Sequence, residues 1–149
     1  MATEKHHFSS EIHWPGGRNT VGQLETGVIC SEISVPEQMG GAGKGTNPDE
    51  MLLGAAATCY TITLGALLER NDIAVLDFVV NSEGVVNVTN GVFTYESIIH
   101  HLQLKLLPDA TERQFELAEK LAKKAESSCM ISKALSGNVR VEADIHIEK

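Results

Sequence analysis

Cysteines are the residues of this sequence with the most evident capacity for chemistry. There are three, Cys30, Cys59 and Cys129, and no two of them stand at CxxC spacing. The spacing excludes a zinc ribbon, and an odd number of cysteines is not typical of a disulfide-stapled fold. Free thiols that can support redox chemistry remain.

Cys59 lies in the small-residue stretch LGAAATCYTIT, residues 53–63. A free cysteine packs like a small apolar residue, and Cys59 is too deep in a predicted helix for the helix amino terminus to lower its pKa appreciably. A reactive thiol needs a nearby cation. Arg18, held by the carboxylate of Asp49 or Glu50, is the feature that would supply one and stabilise a thiolate. The spacing alone favours core packing and leaves a reactive site open.

Two other features of the sequence suggest a ligand-binding site, but neither matches a known binding motif. The loop GGAGKGT lacks the P-loop register, because Gln38 occupies the place of its first glycine. The six histidines include no HExxH motif, and His100 and His101 point to opposite faces of a predicted strand. A metal site assembled from histidines in three dimensions stays open as a weaker alternative.

A long central helix is predicted to carry Cys59. Asn47 is the expected N-cap, Pro48 the first helical residue, and Glu50 the third, with the helix running to about Glu69. Few charges follow its first turn, so the helix is apolar on most sides and should be buried. One short chain can hardly cover it, and we expect a dimer that shares the core.

The remaining pattern predicts strands and two further helices, and hence an α+β fold. Cys30 belongs to an alternating strand and is expected to be packed. Gly84 is expected to interrupt a strand, and Thr111 with Gln114 predicts a capping box. The predicted segments are strands near Val28–Val35, Ala74–Val80, His100–Leu106 and Val139–Ile147, a helix after Thr111, and a short helix over MISKAL.

Composition limits the function classes. The chain has 149 residues, which suits one domain over 1–149, and a net charge of -8, which argues against nucleic acid or an anionic membrane as a partner. The polar N-terminus does not resemble a signal peptide, and no apolar run is expected to reach the ~20 residues that span a membrane. A cytoplasmic protein is predicted.

Three segments together resemble the OsmC/Ohr family of thiol-dependent hydroperoxide reductases. They are WPGGRNTVGQL, GGAGKGTNPDEMLLGAAATCYTITL and SSCMISKALSGNVRVEADI, in the family's order between Trp14 and Ile145. The resemblance implies antiparallel sheets wrapped around two long central helices in an intertwined homodimer. It also implies active sites at the subunit interface and no metal, cofactor or prosthetic group.

The resemblance implies a role for each candidate site residue. Cys59 matches the peroxidatic cysteine, and Cys129 matches the resolving cysteine that forms a disulfide with it. Arg18 matches the arginine that lowers the thiolate pKa and polarises the peroxide. Asp49 stands where the family usually has glutamate to orient that arginine, and the neighbouring Glu50 is the alternative.

The resemblance thus implies a peroxidase that reduces organic hydroperoxides to alcohols in oxidative-stress defence. Its reductant is a dithiol, with lipoyl-carrying proteins the best-known donors of the Ohr branch, toward which the GGR turn leans. Met130 replaces a proline common in relatives, and Tyr60 is the only aromatic residue near Cys59. These departures and Asp49 motivate an alternative, a binding or redox-sensing dimer of this fold with little peroxidase turnover.

Overall fold

The computed structural model describes residues 2–149, which form two compact units, one ending at Met51 and the other beginning at Leu52. The elements in chain order are β1 (Glu11–His13), β2 (Gly22–Thr26), β3 (Ile29–Ile33), a short 3-10 helix (Glu37–Met39), α1 (Pro48–Arg70), β4 (Val75–Thr89), β5 (Val92–Leu106), α2 (Glu112–Ser128), α3 (Met130–Leu135) and β6 (Arg140–Glu148).

The first unit contains an antiparallel sheet in the order β1-β2-β3. Between β1 and β2, the segment PGGRNT forms a turn, and the Trp14 indole N–H donates to the carbonyl of Gly17 at 3.1 Å. Cys30 lies on β3 but is exposed, so the expectation of a packed cysteine is wrong. Its face of this short sheet has no layer against it within the unit, and its thiol meets the polar side chains of Gln23 and Glu25.

The start of α1 confirms the predicted helix signal. Asn47 Oδ1 accepts from the Glu50 backbone N–H at 2.9 Å, and Asn47 Nδ2 donates to Glu50 Oε1 at 2.6 Å. The loop before it is fixed by Ser34, whose hydroxyl donates to the carbonyl of Lys44 and accepts from the N–H of Lys44, both at 2.7 Å. The glycine-rich segment is therefore an ordered lead into the helix.

The second unit contains a three-stranded sheet in the order β4-β5-β6. β4 and β5 pair antiparallel, whereas β5 and β6 pair parallel, which corrects the expectation of wholly antiparallel sheets. The reason is the connection: α2 and α3 lie between β5 and β6 and return the chain to the same end of the sheet. The α+β class is confirmed.

β4 runs without a break through Gly84, so the predicted interruption is wrong. A side chain at position 84 would collide with the Tyr95 hydroxyl on β5, and glycine leaves room for the Tyr95 side chain there. A register shift lies between Val75 and Asp77 and changes which side chains face the core. Leu76 is therefore exposed, although the alternation in the sequence predicted that it shares a face with Phe78.

The core of the second unit lies between α1, α2 and the sheet. Along α1 the buried residues recur every four positions, and they pack with one face of β5 and with the apolar stripe of α2. The capping box of Thr111 and Gln114 at the start of α2 is confirmed. The buried core residues are Tyr60, Leu64, Leu68, Ile73, Leu102, Leu104, Leu106, Ala118, Leu121, Ala122 and Ala125.

The opposite face of α1 is not covered. Gly54, Ala55, Thr58 and Ile62 are exposed, and Ile62 retains 67% of its surface. Among residues 2–149, α1 is also the one helix that passes the length and composition test for spanning a membrane, which corrects the expectation that no apolar stretch is long enough. The same test is passed by core helices of water-soluble proteins; here 22% of the apolar stretch is buried within residues 2–149, along the stripe from Ala56 to Leu68.

Candidate active site

Cys59 and Cys129 are brought together although 70 positions separate them in the sequence. Neither forms a disulfide, and the two thiols interact so that a hydrogen bond from Cys129 to the Cys59 sulfur is favoured. Cys59 projects from α1 and is half-buried, whereas Cys129 is fully buried where α2 ends and α3 begins. Two thiols that interact in this way are a candidate pair for a disulfide.

The pKa of the Cys59 thiol is lowered from its ordinary value. Burial acts in the opposite direction, but four hydrogen bonds together outweigh it. They come, in decreasing order of effect, from the Cys129 thiol, the backbone of Ile131, the Thr63 hydroxyl and the backbone of Met130. Each stabilises the thiolate, which is the nucleophilic form of cysteine.

The pKa of the Cys129 thiol is raised. Burial is the main cause, followed by its hydrogen bond to Cys59, which holds the proton on Cys129. The backbone N–H groups of Ser132 and Ile131 and the Ser132 hydroxyl act against this rise. The contact therefore distinguishes the two sulfurs, with the thiolate favoured at Cys59 and the neutral thiol at Cys129.

A buried polar pair supports the helix turn that carries Cys59. The ring of His100 stacks on Tyr60 with centroids 5.0 Å apart, and its Nδ1 lies 2.6 Å from Ser82 Oγ. Tyr60 Oη donates to the carbonyl of Ala122 on α2 at 3.0 Å. Burial, with a smaller contribution from the Glu126 carboxylate, raises the pKa of Tyr60 to about 12, so the phenol stays a donor. This contact ties α1 to the helix that ends at Cys129.

Arg18, Asp49 and Glu50 belong to the first unit. The Arg18 guanidinium is exposed and donates to Asn19 Oδ1 at 2.8 Å and to the carbonyl of Met39 at 2.9 Å. Asp49 and Glu50 lie in the first turn of α1, where the Glu50 carboxylate accepts from Asn47. Glu50 also borders a polar cavity of about 140 Å³ in the loop before the helix. Asp49 and Glu50 thus lie in the helix start predicted from the sequence.

Several residues around the sulfurs were not found from the sequence. Thr63 stands one helical turn after Cys59, and that spacing was the available signal. Ser132 and the backbone N–H groups of Met130 and Ile131 follow Cys129, and nothing in their residue types marks them. Within residues 2–149, no group of three or more His, Cys, Asp or Glu side chains is arranged to hold a metal ion. His101 instead contacts Asp144 at 3.0 Å on the surface.

The protein therefore has an α+β fold with two free thiols that interact, Cys59 on α1 and Cys129 immediately before α3. The chain belongs to the OsmC-like protein family, whose sequence model matches residues 41–144. It is 54% identical over 143 residues to the uncharacterized protein YmaD of Bacillus subtilis, which covers 96% of this chain and 95% of YmaD.

Relatives with more informative names are more distant. The chain is 25% identical over 154 residues to the organic hydroperoxide resistance protein-like 2 of Staphylococcus epidermidis, covering 93% of this chain and 94% of that protein. The crystal structure of an organic hydroperoxide resistance protein OsmC from Legionella pneumophila superposes with a TM-score of 0.76 at 25% identity, covering 99% of both chains. The OsmC/Ohr fold expected from the resemblance is confirmed, and family membership indicates a role in hydroperoxide resistance or redox chemistry.

Proposed function

We propose that this protein is a dithiol-dependent peroxidase that reduces organic hydroperoxides to alcohols. The observation that carries the proposal is the contact between the two thiols, in which Cys59 is favoured as thiolate and Cys129 as thiol. Membership of the OsmC-like family and relatives named for organic hydroperoxide resistance support the choice of substrate class.

In the first step, the Cys59 thiolate attacks the terminal oxygen of the hydroperoxide. The O–O bond breaks, Cys59 becomes a sulfenic acid, and the alkoxide takes up a proton and leaves as the alcohol. Cys59 is suited to this step because it is the more exposed of the two sulfurs and the one whose pKa is lowered.

In the second step, Cys129 attacks the sulfenic sulfur of Cys59. A disulfide forms, and the sulfenic oxygen leaves as water after receiving the Cys129 proton. A dithiol then reduces the disulfide by exchange through a mixed disulfide. Both protein thiols are regenerated, and the dithiol is itself oxidised to a disulfide by two electrons. A lipoyl-carrying protein is the donor that the resemblance suggests, and a reducing compartment such as the cytoplasm suits the cycle.

Arg18 is proposed to polarise the hydroperoxide and stabilise the Cys59 thiolate, oriented by a carboxylate. Of the two candidates, we assign that role to Asp49, because it stands ten residues before Cys59, where the family usually has glutamate. Glu50 Oε1 accepts from Asn47 at 2.6 Å and the Glu50 N–H donates to Asn47 Oδ1, so Glu50 contributes to the helix cap. Arg18 is a strong partner for a carboxylate because its guanidinium donates in a planar fork.

A homodimer is proposed as the working assembly. Gly54, Ala55, Thr58 and Ile62 form an exposed face of α1 opposite its buried stripe. Small residues on this face permit close approach of a second α1, and such an interface would remove the exposed Ile62 from water. Size-exclusion chromatography with light scattering reads the mass directly, and a stable monomer at micromolar concentration contradicts this part of the proposal.

The decisive experiment follows peroxide consumption with the reduced protein and a dithiol. Cumene hydroperoxide is mixed with wild type, with Cys59→Ser and with Cys30→Ser, and mass spectrometry after one equivalent of peroxide locates the oxidised cysteines. Wild type and Cys30→Ser should turn over and acquire a Cys59–Cys129 disulfide, because exposed Cys30 has no part in the cycle. Cys59→Ser should be inactive.

Full activity in Cys59→Ser refutes the proposal. The alternative of a redox-sensing or binding dimer has its own signature in the same experiment. A sensor would form the disulfide once but would not consume further peroxide in the presence of dithiol. A binding protein would leave Cys59 reduced, with a pKa near the ordinary value of about 8.5.

A further inference from the structure

Ser132 is a buried residue beside the sulfurs that the proposed cycle does not yet use. It is the third residue of α3, three positions after Cys129, and only 7% of its surface is exposed. Its Oγ is shielded from solvent and has no hydrogen-bond partner that meets ordinary geometry within residues 2–149. An unpaired buried hydroxyl is unfavourable for folding, so its presence calls for an explanation.

The reactive group that Ser132 acts on is the Cys129 sulfur. Both the hydroxyl and the backbone N–H of Ser132 favour negative charge on that sulfur, against the effect of its burial. In the reduced protein, Cys129 is a neutral thiol whose proton is directed to Cys59, and a neutral thiol is a weak acceptor. A thiolate is a much stronger acceptor, so the Ser132 hydroxyl gains a partner when Cys129 becomes charged.

We propose that Ser132 is a catalytic residue of the resolving step, whose hydroxyl donates a hydrogen bond to Cys129 Sγ while that sulfur attacks the sulfenic acid of Cys59. The inference rests on the proposed function. In this step the S–H bond of Cys129 and the S–O bond of Cys59 break, the S–S bond forms, and the proton and the hydroxide leave together as water. Negative charge develops on Cys129 Sγ as its proton departs, and the Ser132 hydroxyl stabilises it there.

The test separates the two steps by stopped-flow measurement with cumene hydroperoxide. The rate of the first phase rises with peroxide concentration and reports sulfenic acid formation on Cys59. The second phase is independent of peroxide and reports disulfide formation. Trapping with dimedone, followed by mass spectrometry, identifies the species present between the phases.

Ser132→Ala is compared with wild type and with Ser127→Ala as the matched control. Ser127 is exposed and donates to the carbonyl of Lys124 at 3.2 Å, away from either sulfur's hydrogen bonds. In Ser132→Ala the second phase should slow about tenfold, the effect of losing one hydrogen bond to a charged group, with more sulfenic acid trapped. The first phase should stay within about twofold of wild type. Ser127→Ala should leave both phases unchanged.

Thermal unfolding of the reduced proteins provides a readout that a merely structural serine would not give. Removing an unpaired buried hydroxyl should not destabilise the fold, so the midpoint of Ser132→Ala should equal that of wild type or rise by about 2 °C. A serine retained for folding would instead lower the midpoint on replacement.

The inference is overturned by an unchanged second phase in Ser132→Ala, by equal slowing in Ser127→Ala, by equal slowing of both phases, or by a lower thermal midpoint. These outcomes leave the proposed function standing, because wild type would still show both phases. Absence of the first phase in wild type overturns the proposed function, and the role of Ser132 falls with it.

Discussion

Replacing Cys129 by alanine or by serine tests the origin of the lowered Cys59 pKa. The hydrogen bond from Cys129 is the largest of the contacts that lower this pKa. Alanine removes the donor, whereas serine replaces the thiol with a hydroxyl, which is the stronger donor. Both variants lack the Cys129 thiol, so a difference in the Cys59 pKa between them reports the hydrogen-bond donor alone.

The expected difference follows from the strength of one hydrogen bond to a charged group. Such a bond contributes about 1.5 kcal/mol, which corresponds to roughly one pKa unit. Burial has the largest single effect on the Cys59 pKa and raises it, whereas the Cys129 donor lowers it. Removing the donor should therefore raise the Cys59 pKa. Cys59 in Cys129→Ala should therefore titrate about one unit higher than in Cys129→Ser.

The assay uses a Cys30→Ser background so that Cys59 is the only thiol in both variants. The ultraviolet absorbance of the thiolate is followed against pH, and the rate of alkylation by iodoacetamide gives an independent titration of the same group. At neutral pH, Cys129→Ala should also react more slowly with cumene hydroperoxide. Identical titrations of the two variants, or a lower pKa in Cys129→Ala, would refute the assigned hydrogen bond.

Two further predictions concern stability. Burial lowers the pKa of His100, so the stability due to its neutral ring is present above the unfolded pKa of about 6.5 and is lost as the pH falls. In urea unfolding, wild type should lose up to about 1.4 kcal/mol per pH unit more than His100→Gln below pH 6.5, and parallel curves would contradict this. Gly45 has φ +65° and a Cβ there would collide with the carbonyl of Glu32, whereas Gly91 has φ +76° and open space. Gly45→Ala should thus lower the free energy of unfolding by about 3 kcal/mol and Gly91→Ala by about 1, and equal losses would show that the collision is relieved.

Local signals in the sequence predicted the elements well where the responsible contacts are local. Asn47, Pro48 and Glu50 indicated the start of α1, and Thr111 with Gln114 indicated the start of α2, because capping joins residues three positions apart. The same locality explains the turn before β2 and the short helix over MISKAL.

The errors arose where distant strands decide the outcome. The parallel pairing of β5 with β6 depends on the path of the intervening helices, and the exposure of Leu76 depends on a register shift against β5. Gly84 looks like a break in the sequence because the Tyr95 side chain that lies against it comes from β5 and is visible only once the strands are paired. Cys30 was expected to be packed because alternation identifies a face of a strand but not the layer that covers it.

The candidate site combined both kinds of information. Residue types and spacing left Cys59 as a packing residue, and only the resemblance to the OsmC/Ohr family paired it with Cys129. The two sulfurs interact in the structure, but their seventy-residue separation carries no periodic signal, and the disulfide pairing stays a proposal. Thr63, by contrast, stands four positions after Cys59 on the same helix and could have been found from helical spacing.

The single hydrogen bond between the sulfurs would also impose an order on the two steps of the proposed cycle. A hydrogen bond has one donor and one acceptor, so the contact that favours thiolate at Cys59 necessarily disfavours it at Cys129. In the proposed cycle, the charged sulfur is the half-buried one, which a peroxide would reach first, and the buried sulfur keeps the proton that the sulfenic oxygen needs in order to leave as water. Oxidation of Cys59 would remove the thiolate acceptor and so release Cys129 to act. The proposed resolving thiol would thus be restrained until the step that requires it, and the Ser132 hydroxyl is proposed to stabilise the charge that then develops on Cys129.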